Sequence, residues 1–344
     1  MCICMLFTSC TPVGQSVDSS ENTVNSQKVE NLEKLCKVWG YTKYNHPAFL
    51  FGEKDWDEEL LNLIPVVSEA KSDEVNDILH EWFVSLGEID YGTSRPGSKP
   101  IESEAVVQAD TNWILDEAYL GEALSADMQK MGPVPKIDRS KAPVKFSTGQ
   151  SVPNFKMENT DAGCSYQTEE ERLLGLFRVW NAIEYYFPYL DIMDESWHDL
   201  LNEFIPKILE ASDVQSFELT ICEMTAHLHD VHVRFINSQP LKAVVGEYLA
   251  PVNMLRTEEG QWVVSDLRGD CPLQAGDVIL KLDGTDIKEI EENRKKYVSV
   301  PNDEKLNNPL GVYLLRSKDE EMEITVLRDG KEETYSVKGT TEYR

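Results

Sequence analysis

The sequence predicts an α+β protein in which a duplicated, helical N-terminal part precedes a strand-rich C-terminal part. Three observations carry that expectation. A segment around Trp39 and Trp56 recurs around Trp180 and Trp197, apolar residues within both copies recur at helical spacing, and after Pro240 the period shortens to that of strands and tight turns. A shift of 141 positions pairs Leu35 with Leu176, Tyr44 with Tyr185, Pro47 with Pro188 and Ile64-Pro65 with Ile205-Pro206, without a gap. From Leu32 to Ala70, 12 of 39 paired positions are identical. Many of the identities are bulky aromatics or prolines, so they mark a shared packing unit. Two copies are too few for a solenoid, which needs three or more stacked repeats.

In chain order, Leu32, Leu35, Cys36 and Trp39 predict a helix over 29–45 that Pro47 ends. Asp55-Trp56 opens a second helix through Val67, with Pro65 predicting a kink or break inside it. Glu74 to Leu86 reads as a third, closed by Gly87. Asp110 to Met131 predicts a strand followed by a helix. The Pro-, Ser- and Lys-rich stretch from Pro133 to Gly163 predicts extended strands over the surface of one copy, since a structureless loop of that size is uncommon. In the second copy Leu176, Trp180, Ile183 and Phe187 form one helical face that stops at Pro188. Trp197 to Leu209 and Ser216 to Leu228 repeat the second and third helices. Beyond Pro240, Trp262 to Val264 and the run between Gly276 and Gly284 predict strands, and Ile287 to Tyr297 a helix. Glu321 to Arg328 and Glu332 to Lys338 predict a hairpin across Asp329-Gly330, a dipeptide suited to positive φ.

At 344 residues the chain has room for two or three domains. The expected division is 1–27 as a truncated lipoprotein signal and linker, 28–165 as the first repeat with its connection, 166–240 as the second repeat, and 241–339 as the strand-rich domain. A net charge of −28 excludes a duplex- or phosphate-binding role, which draws its affinity from clustered Lys and Arg. No Cys-x-x-Cys occurs and the remaining cysteines are widely spaced, so neither a disulfide scaffold nor a cysteine-based zinc site is expected. No metal or other cofactor is expected, and no apolar run approaches the length of a membrane span.

The N-terminus, Met1-Cys2-Ile3-Cys4-Met5-Leu6-Phe7-Thr8-Ser9-Cys10, resembles the tail of a bacterial lipoprotein signal with Cys10 as the lipidated residue. That implies a cell-envelope or periplasmic protein, touching membrane only through the anchor. The apolar run is short and no Lys or Arg precedes it, which departs from the usual secretory pattern. The segment Leu273-Gln274-Ala275-Gly276-Asp277-Val278-Ile279-Leu280-Lys281-Leu282-Asp283-Gly284 resembles the signature of the PDZ domains of bacterial proteases. PDZ domains add an extended peptide to a sheet edge, and Gly246, Glu247, Tyr248, Leu249 and Ala250 are the residues expected to line the groove for a peptide or protein partner.

The order of helical repeat, His229-Asp230-Val231-His232 and PDZ-like segment, with Leu176 to Tyr189 as a further matching stretch, resembles the front part of the C-terminal-processing and tricorn-type serine peptidase family. That resemblance implies that His232 is the general base for a serine lying after the PDZ domain. Pairing Leu86 to Asp90 with Leu228 to His232 sets Asp90 against His232, so the repeat itself does not demand histidine there. Ser299, Ser317 and Ser336 lack a strand-to-helix setting, and no Gly-rich phosphate loop, His-Glu-x-x-His or Gly-x-Ser-x-Gly occurs. The expectation is therefore the N-terminal and PDZ part of a serine-type peptidase, inactive alone, with the nucleophile-bearing α/β domain absent from this chain. The alternative is a stand-alone peptide-binding lipoprotein.

Overall fold

In the computed structural model the described residues are 19–92, 109–146, 152–155, 165–193, 195–233, 235, 238–300 and 310–341. Cys10, the expected lipidation site, lies outside them. The α+β class holds: helices fill the N-terminal part and a sheet the C-terminal part. The first copy comprises α1 (Ser19–Asn45), α2 (Pro47–Leu50), α3 (Trp56–Glu69) and α4 (Val75–Ser85), followed by α5 (Glu117–Leu120) and α6 (Glu122–Met128). The second comprises α7 (Glu169–Tyr186), α8 (Trp197–Glu210) and α9 (Val214–Ala226). Between the copies, β1 (Lys145–Phe146) pairs antiparallel with β2 (Pro153–Asn154).

The duplication seen in the sequence is a duplication of packing. The α3 and α8 helices start on the paired tryptophans and are the same 14 residues long, and their side-chain caps, Asp55 and Ser196, are paired positions. The Trp39 indole donates to the Trp56 carbonyl at 2.8 Å, and Trp180 to Trp197 at 3.1 Å. One apolar core runs through both copies, with α1 against α8 as α3 is against α7. At the contact of α1 with α7, Gly40 leaves room for the side chain of Asn181, its own counterpart in the second copy. A Cβ on Gly40 would stand 1.7 Å from Asn181 Oδ1. Asn181 uses the space to donate to the carbonyls of Cys36 and Phe177. Nearby, Arg178 forks onto Asp57 and ties α7 to α3.

One local expectation is narrowed and another corrected. Pro65 and its twin Pro206 break neither helix, because Leu63, Ile64 and Val67, and likewise Phe204, Ile205 and Ile208, are buried in the common core on both sides of the proline. Asp110 to Met131 contains no strand: a 3-10 turn (Asn112–Leu115) leads into α5 and α6. Asp116 caps α5, and Leu120, Leu124 and Met128 bury one helical face. The apolar residues there follow helical spacing throughout.

The helix α10 (Gln239–Val245) leads into β3 (Tyr248–Leu249), β4 (Val252–Arg256), β5 (Trp262–Leu267), β6 (Val278–Leu282), β7 (Thr285–Asp286) and α11 (Ile287–Arg294). A helical turn over 310–314 then precedes β8 (Arg316–Ser317), β9 (Glu321–Arg328) and β10 (Lys331–Lys338). The main sheet has the order β10-β9-β6-β5-β4, with β7 beside β6, and its inner face forms a second core around Trp262, Ile279, Ile324 and Val326. The expected hairpin is present, with Asp329 at φ 49° and Gly330 at φ 78° in its turn. Asp277 of the two-glycine signature is buried. It takes the backbone N–H of Gln274 and a bidentate fork from Arg328, so it fastens β9 to the turn before β6.

Candidate functional site

The third helix of the second copy ends at Ala226, and the turn after it carries His227, His229 and His232. His227 faces Glu195. His229 adopts φ 52°, and the position paired with it in the first copy is Gly87 at φ 95°. A left-handed residue past a helix end is ordinarily glycine, because a Cβ there is crowded by backbone. His229 holds that conformation while its Nδ1 donates to the carbonyl of Val300 at 3.2 Å. The next backbone N–H, of Asp230, donates to Ser299 Oγ at 2.8 Å. Two bonds thus moor the turn to the segment that follows α11.

On this mooring stands an aspartate–histidine pair. Asp230 Oδ1 accepts from the backbone N–H of His232 at 2.9 Å and from its Nδ1 at 2.7 Å. The His232 side chain is 88% exposed, so Nε2 faces solvent. Neutral imidazole that donates through Nδ1 carries its free lone pair on Nε2. This is the arrangement of a general base held in orientation and tautomer by a carboxylate. Among the described residues the partner of His232 is Asp230.

The corresponding stretch of the first copy, residues 86–92, carries no histidine. Asp90 is exposed and its Oδ1 accepts from the N–H of Gly92 at 2.8 Å.

The serines set aside by sequence are engaged elsewhere. Ser299 receives the Asp230 amide, Ser317 donates to Asp283 Oδ2 at 2.6 Å, and Ser336 donates to Glu321 at 3.0 Å. No group of three His, Cys, Asp or Glu side chains among the described residues is arranged to hold a metal ion.

Of residues Gly246 to Ala250, expected to line a peptide groove, Tyr248 and Leu249 form a short strand with backbone partners on both edges. Tyr248 and Leu249 pair with Ser317 and Arg316, and Ala250 donates to Leu315. On the other side Leu249 exchanges both backbone bonds with Thr340 at 2.9 Å. Gly246 has φ 98° and passes so close that a Cβ would lie 2.4 Å from the Ser317 carbonyl carbon, while Glu247 offers its carbonyl to Arg316. Tyr248 and Leu249 are thus hydrogen-bonded on both sides within the C-terminal part of the chain. The main sheet ends on β10 and on β4, and β4, next in sequence, is paired with β5 on one side and with no described strand on the other. Leu255 on β4 is exposed.

One further constellation escaped the sequence reading. The α7 helix carries Glu184, whose side chain is 4% exposed, with Oε1 3.4 Å from His198 Nε2 on α8. Its other oxygen, Oε2, has no hydrogen-bond partner. Burial pushes the Glu184 carboxyl up to about 7, with Lys37 pulling down and Asp110 pushing up. Burial, aided by Lys37, lowers the His198 imidazole. Burial thus works against the charged form of both groups at this contact. The available signal was the repeat itself: Glu184 pairs with Lys43, so an interior position has changed sign between the copies.

No family model matches the chain, and no curated protein matches it. Among solved structures, those titled "Structure of mature CPAF complexed with lactacystin" and "Crystal Structure of mature CPAF" match with TM-score 0.35 at 10% and 11% identity. Each match covers 49% of this chain and 34% of the other, so the chain spans about a third of the length of the structures it matches. The likeness concerns part of the fold, and no residue role follows from an overlap of that extent.

Proposed function

We propose that this chain supplies the base and the peptide-presenting part of a serine-type peptidase, with the nucleophile carried by a domain outside residues 1–344. The observation that carries the reading is the Asp230–His232 pair: Nδ1 held by the carboxylate at 2.7 Å and Nε2 turned to solvent. In peptide-bond hydrolysis Nε2 takes the proton of the serine hydroxyl as its oxygen attacks the scissile carbonyl carbon. It then returns that proton to the leaving amine, and water repeats the sequence to release the acyl group. Asp230 holds the ring and balances the imidazolium that forms. The two-glycine signature and the outer edge of β4 support a PDZ-like role for the C-terminal unit, in which a substrate peptide adds as a strand beside β4. An envelope location, with Cys10 lipidated, belongs to the same proposal and is supported by the N-terminal sequence.

The same β4 edge favours a second reading, a peptide-binding module without hydrolytic partner. One experiment separates the two. The reading frame after the Arg344 codon is sequenced, and the complete product is incubated with a peptide panel scored by mass spectrometry. Cleavage by the complete product that disappears in His232→Ala, with none by residues 1–344 alone, is the expected result. A stop codon after Arg344, or cleavage indifferent to His232, overturns the peptidase reading.

A further inference from the structure

Glu184, whose Oε2 is buried without a partner, is one of the residues lining a cavity of about 650 Å³ in the second helical copy. The end of α7, the turn after it and the start of α8 form its walls, with the aromatic rings of Tyr185, Tyr186, Phe187 and Trp197. Asp110 and Asp191 also line it, and both are exposed. A carboxyl buried to this degree ordinarily has a partner for each oxygen, because an unpaired buried acceptor costs free energy. His198 meets only the Oε1 side. The nearby cation Lys37 is engaged with Glu33 at 2.5 Å.

The first copy shows what such an aromatic frame accommodates. Lys43, the residue paired with Glu184, is fully buried, and its Nζ lies 4.6 Å from the Trp39 ring centroid and 5.1 Å from that of Tyr44. Both rings are retained in the second copy as Trp180 and Tyr185. The first copy thus brings its own alkylammonium against the aromatics. The second keeps the aromatics, replaces the ammonium by a carboxylate, and opens the cavity beside it.

We propose that this cavity binds an alkylammonium group from solution, with Glu184 as its counter-ion and the rings of Tyr185, Tyr186, Phe187 and Trp197 along its methylene arm. The volume suits a small-molecule site, and acidic walls with a net chain charge of −28 favour the approach of a cation. A lysine side chain of a peptide and a free diamine share this chemistry. The inference is independent of the hydrolytic reading, since it uses neither His232 nor β4.

Proton competition gives the proposal a signature. The charged groups around Glu184 are Glu33 and Lys37 on α1, Asp110, Asp191, and His198 and Asp199 on α8, with the Tyr185 phenol beside it. Of these, His198 has its imidazole lowered and Tyr185 its phenol raised. The proton displaced near pH 7 is therefore that of Glu184, while an alkylammonium, like lysine near 10.4, stays charged.

The test is titration calorimetry of the whole chain with pentylamine, neutral pentanol as control, and Nα-acetyl-lysine amide and cadaverine as the two sources. Pentylamine binds at pH 8 and pentanol does not. Affinity falls roughly tenfold from pH 6.5 to 5.5, with heats that depend on the buffer's own ionisation because a proton is released. Glu184→Gln, which keeps shape and removes the charge, weakens pentylamine roughly tenfold or more and abolishes the pH dependence. Should that variant fail to fold, the buffer-dependent heat of the natural chain still decides. The tighter of the two source compounds identifies the biological ligand. Absence of heat with every amine at roughly 10 mM, pentanol binding as tightly as pentylamine, or affinity independent of pH overturns the proposal.

Discussion

Replacing Gly40 by alanine separates the geometry of the repeat interface from ordinary helix propensity. On an exposed helix face the change stabilises by about 1 kcal/mol. Here the new methyl would stand 1.7 Å from Asn181 Oδ1 and 2.0 Å from its Cγ, so the Asn181 side chain must swing away. Doing so breaks its bonds to the carbonyls of Cys36 at 3.1 Å and Phe177 at 2.9 Å inside a core where Asn181 is fully buried. An unsatisfied buried amide costs about 1–3 kcal/mol, and overpacking costs a similar amount. Against the propensity gain, the net is a loss of about 3 kcal/mol. Urea denaturation followed by tryptophan fluorescence measures it, because Trp39 and Trp180 both sit in that core. Combining Gly40→Ala with Asn181→Gly removes the clash and recovers about 2 kcal/mol relative to the sum of the single changes. A stabilised Gly40→Ala, or effects that add to within about 0.5 kcal/mol, would refute the close approach of α1 and α7.

Two further outcomes follow from named groups. Burial lowers the His46 imidazole to about 4, partly offset by a backbone bond to Gly87. The unfolded chain then binds the extra proton between about 6.5 and 4, and stability drops as pH falls through that window. His46→Gln flattens the dependence, and an unchanged slope in urea titrations at pH 6.5 and 4.5 would count against it. Neutral His232 carries its proton on Nδ1 because Asp230 accepts there. In Asp230→Asn the populations shift toward the Nε2–H tautomer, read from ¹⁵N shifts of the ring, and identical shifts in the two proteins would remove the orienting role of Asp230.

How much was legible depended on whether a residue's role was local. Paired tryptophans, prolines and helix caps act within a dozen or two residues of themselves, so spacing placed α3, α8 and the β9–β10 hairpin almost to the residue. His232 was singled out by the resemblance of the segment His229 to His232 to a peptidase family, not by spacing. Partnership across the chain was not legible. That Leu249 would meet Thr340 on one edge while its neighbours meet Leu315 to Ser317 on the other depends on contacts with no periodic signature, and it converted an expected groove into a paired strand. The αL conformation of His229 was hidden for a related reason. Histidine is enriched at positive φ over most side chains but still adopts it seldom, and Gly87 in the other copy was the stronger pointer.

The two copies also show which substitutions the shared fold tolerates. The aromatic and proline positions are kept because each fills the same core. The charged positions differ in pairs: Lys37 against Arg178, Asp57 against His198, Lys43 against Glu184. Where α7 meets α3, Arg178 finds Asp57 and the pair closes. Exchanging the copies sets Lys37 toward His198, where no carboxylate replaces Asp57. Lys37 turns to Glu33 on its own helix instead, and its charge helps keep His198 neutral. Divergence at one end of a near-symmetric pair therefore leaves Glu184 with an unmatched oxygen beside the cavity, while the other end is sealed by an ion pair. A duplicated core can hold its shape through Trp39, Trp180, Gly40 and Asn181 and still offer one side only as a place for chemistry.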